Sequence, residues 1–100
     1  MNFEQTLAQD RRLAMLRILL EVNGEANESV LCSGLESIGH SRMLTRENVR
    51  GDLRFLETAG AIRLSWFDGR IAVAHLLIRG EEIAKGKIVV EGIKRPSIGD

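Results

Sequence analysis

One hundred residues suffice for a single small domain, since domains usually run to ~100–150 residues and a second core does not fit. Hydrophobic residues at 44% and charged residues at 28% are the mix of a folded globular chain and exclude a disordered or low-complexity one. Fourteen basic and fourteen acidic side chains cancel, so net charge alone does not mark a nucleic-acid binder. The lone Cys32 excludes an intramolecular disulfide and fits a reducing compartment. With no apolar run near the ~20 residues that span a bilayer, and no export pattern in MNFEQTLAQDRR, a cytoplasmic location away from membranes is expected.

The pattern of Phe3, Leu7, Leu13, Leu16 and Leu20, with Met15, Leu19 and Val22 beside it, predicts an amphipathic helix over Phe3 to Val22. Asn23-Gly24 stops it, and Asn27 is placed to cap a short second helix carrying Leu31, Leu35 and Ile38 on one stripe. Gly39, His40 and Ser41 form the connection to a third helix over Arg46 to Ala59. Thr45 is its cap, Leu44 and Val49 its staple, and Val49, Leu53 and Leu56 its inward stripe. AIRLSWF and RIAVAHLL alternate around Asp68-Gly69, the dipeptide of a type I′ hairpin. A two-residue turn pairs Phe67 with Arg70, Trp66 with Ile71, Leu64 with Val73 and Ile62 with His75. Ile62, Leu64, Trp66, Ile71 and Val73 then share the side that covers the helices. A helical turn is expected around Arg79 to Lys85. The division is a domain over 1–86 and a tail over 87–100 with an apolar Ile88-Val89-Val90 patch.

The order of elements resembles the winged helix-turn-helix family over roughly Arg11 to Lys85. The strongest stretch is SRMLTRENVRGDLRFLETAGAIRLSWFDGRIAVAHLLIRG, where Val49, Leu53 and Leu56 precede Gly60 and Ile62, and the wing tip is Phe67-Asp68-Gly69-Arg70. The resemblance implies an α+β, mainly α fold: a three-helix core, a two-stranded β-hairpin wing and a short C-terminal helix and tail. From RRLAMLRILL through NVRGDLRFLETAGAI to GIKRPS, the chain is also similar to small proteins encoded in Mu-like prophages, which implies fold and genomic context more than activity.

Charge is polarised along the chain. Residues 1–41 carry an excess of acids, and the stretch 42–54 holds Arg42, Arg46, Arg50 and Arg54 against Glu47 and Asp52. With the apolar stripe inward, Arg46, Arg50 and Arg54 follow one another at i, i+4, i+8 on the opposite side. Arginine donates in pairs to guanine, Asn48 matches adenine, and Gly51 lets a helix approach the duplex. Thr45 and the helix start suit a phosphate, and Arg70 on the wing suits the flanking backbone or minor groove. The expected DNA-binding residues are therefore Thr45, Arg46, Asn48, Arg50, Gly51, Arg54 and Arg70, with double-stranded DNA as partner. The bland alternative is a solvated helix face, with Glu47, Arg50 and Glu57 at or near ion-pair spacing.

The leading expectation is a phage-derived DNA-binding homodimer, acting as a transcriptional regulator or accessory factor. The dimer is motivated by the wide apolar surface of the first helix and by the Ile88-Val89-Val90 patch. The alternative is a winged-helix protein-interaction module in a phage assembly or packaging complex, whose Arg face meets an acidic phage protein. Cys32, His40 and His75 lack metal-ligand spacing, and Ser29, Ser37, Ser41 and Ser65 have no base nearby in sequence. No enzyme, cofactor or metal is expected. Trp66 has two readings, a seal over the core or an exposed anchor, whereas Phe67 turns away from the core.

Overall fold

Asn2 opens the chain's first helix with a reciprocal cap. Its side-chain oxygen accepts from the Gln5 N–H at 2.8 Å, and Gln5 Oε1 accepts from the Asn2 N–H at 3.0 Å. The computed structural model describes residues 2–42 and 44–97. Its elements in chain order are α1 (Phe3–Glu21), β1 (Glu25–Asn27), α2 (Glu28–Ser37), α3 (Arg46–Thr58), β2 (Ile62–Phe67), β3 (Ile71–Leu76) and α4 (Ile78–Ala84). The fold is α+β and mainly helical, with one antiparallel sheet ordered β1-β3-β2.

The local stops and starts follow from backbone chemistry. Asn23 and Gly24 both take positive φ, and the Gly24 N–H bonds back to the Leu19 carbonyl, ending α1. The Asn27 side chain accepts from the Val30 N–H at 2.9 Å, and Thr45 Oγ1 accepts from the Asn48 N–H at 3.0 Å, so both expected caps form. After Gly60, at φ 77°, the Ala61 N–H returns to the Leu56 carbonyl and the chain enters β2.

The core gathers Met15, Leu16 and Leu19 of α1, Leu31 and Leu35 of α2, and Val49, Leu53 and Leu56 of α3 over Ile62, Ala72 and Ala74 of the sheet. Each large aliphatic side chain so buried contributes roughly 1.5–3 kcal/mol. Much of the apolar surplus of α1, which suggested a dimer, is covered within the chain, because Leu13, Ala14 and Ile18 are buried as well, while Phe3 and Val22 at its ends stay exposed.

The structure corrects the sheet expectations in two respects. The Asp68-Gly69 turn forms, both residues having positive φ and the Arg70 N–H bonding to the Phe67 carbonyl at 3.1 Å. Pairing, however, resumes at Phe67↔Ile71 and continues through Trp66↔Ala72, Ser65↔Val73, Leu64↔Ala74, Arg63↔His75 and Ile62↔Leu76. Arg70 is thus an extra loop residue and β3 is slipped by one. A one-residue slip exchanges faces, so Ala72, Ala74 and Leu76 turn inward while Ile71, Val73 and His75 turn outward. The slip suits the core, since the helices lie close enough to this strand to need alanines there. The second correction is β1, an unexpected strand of Glu-Ala-Asn paired to β3 as Glu25↔His75, Ala26↔Ala74 and Asn27↔Val73. It is fastened at its start by the Leu76 N–H donating to the Gly24 carbonyl at 2.7 Å.

The segment after Gly86, set apart in sequence as a tail, lies on the body. Ile93 is buried, Ile88 and Val90 pack against the core, and the Lys94 N–H donates to the Gln9 carbonyl. Of the Ile88-Val89-Val90 patch only Val89 is exposed; residues 98–100 of the expected tail fall outside the described residues.

Candidate functional site

The third helix carries two buried carboxylate contacts that organise its surroundings. Glu28, the first residue of α2, is 4% exposed. Its carboxylate accepts from Arg50 Nε at 2.8 Å and Nη2 at 2.9 Å, from Arg46 Nη2 at 2.9 Å, and more distantly from the Ala72 N–H. The bidentate Arg50 pair above all, with Arg46 and Ala72 assisting against the cost of burial, holds the Glu28 carboxyl at about 2 instead of 4.5. Reciprocally, Glu28 pushes the Arg50 guanidinium further above its ordinary range. At the opposite flank of α3, Asp52 is 2% exposed and accepts from Arg11 Nε at 2.7 Å and Arg12 Nε at 3.1 Å, tying α3 to α1. Arg12 also donates to the Gly92 carbonyl and lies 3.9 Å above the Phe55 ring, so one side chain joins α1, α3 and the C-terminal segment.

These contacts rearrange the expected arginine row. Arg46, Arg50 and Arg54 do not share the outermost line of α3. Arg46 and Arg50 lean along the flank toward Glu28 and the hairpin, with side chains 65% and 29% exposed, while Arg54 stands exposed beside Gly51 and Glu47. The physical reason is Glu28, whose buried carboxylate requires cationic partners. Thr45 caps the helix, and Asn48 is half-buried at the edge of an open groove of about 1190 Å³ between α1 and α3 that Gly51 and Arg54 also line. Gly51 is solvent-facing, and a Cβ built on it would meet nothing within 4 Å.

The hairpin joins the same surface. Arg50 Nη2 donates to the Arg70 carbonyl at 2.7 Å, satisfying the group that the extra loop residue leaves out of the ladder. Trp66 sits with its ring 5.5 Å from the Arg50 guanidinium and is 45% exposed, so it only partly seals the core. Phe67 is 66% exposed, as alternation predicts, and Ile71 beside it is exposed too. The Arg70 side chain is exposed, with Asp68 at 3.9 Å its ion-pair neighbour.

On the outer face of the sheet the structure brings together Ser65 and His75, treated separately in the sequence, and Glu25, which the sequence did not single out. Ser65 Oγ lies 2.8 Å from His75 Nε2, and His75 Nδ1 lies 2.9 Å from Glu25 Oε1. His75, expected opposite Ile62, faces Arg63 and Glu25 because of the register slip. Cys32 packs against the core as expected of a small apolar residue. Its thiol is pushed up by burial and then by the charges of Glu28 and Glu36, which leaves it a poor nucleophile at neutral pH. Among the described residues no helix is long and apolar enough to cross a membrane.

Helical core, slipped hairpin and acid-anchored arginines define a small α+β domain. The chain is 39% identical over 90 residues to the uncharacterized protein gp26 of Escherichia phage Mu, covering 90% of this chain and 91% of that one. It is 35% identical over 79 residues to an uncharacterized protein of Haemophilus influenzae strain Rd, covering 79% of this chain and 76% of the other. The chain belongs to this Mu-like phage family, that of gp26. No protein-family model and no solved structure matches it.

Proposed function

We propose that this protein is a winged-helix DNA-binding protein of a Mu-like phage, acting as a transcriptional regulator or accessory factor, with α3 as recognition helix and the β2–β3 hairpin as wing. The helix and strand order, with β1 paired to the far strand of the hairpin, is consistent with that fold. The observation that carries the reading is the 2.7 Å bond from Arg50 to the Arg70 carbonyl, which fixes the hairpin tip to the middle of α3. Arg46 and Arg50, oriented by Glu28, then stand beside the hairpin that carries the exposed Arg70, and Arg54 is exposed one turn further along α3. Gly51 adds to it. A glycine inside an exposed helix costs about 1 kcal/mol relative to alanine, nothing among the described residues requires it, and close approach of a duplex would account for it. Thr45 and Asn48 lie at the start of the same helix, where phosphate and base contacts converge. A homodimer is part of this proposal on symmetry grounds, since paired copies double the contacts; sedimentation at high micromolar concentration tests it.

The direct test is fluorescence anisotropy of a labelled duplex titrated at several salt concentrations. Arg54→Ala/Arg70→Ala is the informative variant, because both side chains are exposed and neither has a buried partner among the described residues, whereas Arg50→Ala would also strip Glu28. Binding whose log affinity falls with log salt, with a slope shallower by ~0.9 for each phosphate contact removed, is expected. A folded protein that binds no duplex at low salt refutes the reading. A protein-interaction module in phage assembly or packaging is the second reading, favoured by the exposed Trp66, Phe67 and Ile71 at the hairpin end.

A further inference from the structure

We infer that Ser65 is an activated nucleophile, with His75 as its general base and Glu25 as the positioning carboxylate, able to take the acyl group of small esters. The three residues come from three strands, β2, β3 and β1, and meet on the solvent face at 2.8 and 2.9 Å. The carboxylate settles the tautomer. Glu25 can only accept, so His75 Nδ1 carries the proton and, in the neutral ring, Nε2 presents its lone pair. The hydroxyl of Ser65 must then donate to Nε2, which is the state from which a serine is deprotonated as it attacks. With the proton on Nδ1 and the lone pair on Nε2, the cluster is in the hydrogen-bonded order that attack by a serine hydroxyl needs.

The neighbours on the same face suit an acyl substrate. Val73 lies directly across from Ser65, and Phe67 follows two residues along β2, giving a shallow apolar surface for a short acyl chain. Arg63, exposed and two residues before Ser65, pairs in register with His75 and supplies a cation to the oxyanion of a tetrahedral intermediate. In the step itself the Ser65 oxygen bonds to the carbonyl carbon while its proton passes to His75 Nε2. The ester C–O bond breaks as the leaving alcohol takes that proton. Water, deprotonated by His75, then cleaves the acyl-serine to a carboxylic acid and restores the hydroxyl.

The experiment treats the full chain with a fluorophosphonate probe and with p-nitrophenyl acetate, following adduct mass, the modified peptide and p-nitrophenol release. The expected result is one adduct, on Ser65, absent in Ser65→Ala and formed at least ~100-fold more slowly in His75→Gln. Glu25 is exposed, so Glu25→Gln should leave the melting temperature unchanged. It should nevertheless slow labelling and, by nitrogen NMR, convert His75 from a single Nδ1-protonated tautomer to a mixture. Labelling spread over several serines, labelling of Ser65 that His75→Gln does not slow, or no adduct on the folded protein overturns the inference and leaves the cluster a clamp across the sheet.

Discussion

Replacing Glu28 with glutamine should destabilise the protein by an amount that depends on pH. Held at about 2 instead of 4.5, the carboxyl contributes about 3 kcal/mol to the folded state at neutral pH. That is an upper figure, because Arg46 is largely solvated and Arg50 partly so. A depressed carboxyl stabilises fully above its unfolded value and loses that contribution as pH falls through the folded one. The wild type should therefore shed this stability between pH 4.5 and 2, whereas Glu28→Gln has nothing to titrate there. At pH 7, 3 kcal/mol corresponds to a melting temperature lower by roughly 10–20 °C for a domain of this size. Denaturant unfolding of both proteins at pH 7, 4.5 and 3 measures the gap. A gap under about 1 kcal/mol at pH 7, or one that does not narrow with acid, would refute the role assigned to this carboxylate.

Three further substitutions probe the scaffold. Asp52→Asn leaves Arg11 buried without its counter-charge and should cost ~3–5 kcal/mol in urea unfolding, more than any exposed acid in the chain. Gly51→Ala should stabilise by about 0.5–1 kcal/mol, since the added methyl meets nothing, while weakening duplex binding in the anisotropy assay. Gly80→Ala should do the opposite to the fold: its Cβ would collide with the Ala61 carbonyl oxygen, at ~1–3 kcal/mol by thermal unfolding, because backbone cannot step aside as a side chain can.

The helices were legible because their signals are local. Asn27 and Thr45 bond to amides three residues on, and the stripe of Val49, Leu53 and Leu56 lies within one element. What escaped depends on distant partners. Glu-Ala-Asn has no strand propensity, and β1 exists because β3 offers it an edge. Asp68-Gly69 signals the turn, yet the extra Arg70 is accommodated only because Arg50, twenty residues earlier, caps its carbonyl. That slip also decides the outer face. In the expected two-residue register His75 lies on the same side as Ile62 and Leu64, away from Ser65, and no Ser65–His75 contact is possible. Glu28 and Asp52 look like ordinary surface acids, since burial of a charge is invisible until its partners, 18 to 41 residues away, are known.

A net charge of zero conceals how unevenly the charges are used. Glu28 and Asp52 are consumed inside the fold, and each engages two arginines, so acids are neutralised where cations remain partly free. Glu28 both positions Arg46 and Arg50 and cancels one charge beside the proposed interface. Glu28→Gln at a temperature where it remains folded should therefore bind duplex more tightly at low salt and with a slope steeper by ~0.9, as one more cation becomes available to phosphate. Affinity lost in the folded variant would mean that geometry outweighs charge at this surface. An unchanged slope would assign Arg46 and Arg50 to the fold alone and leave Arg54 and Arg70 as the cations available to a partner.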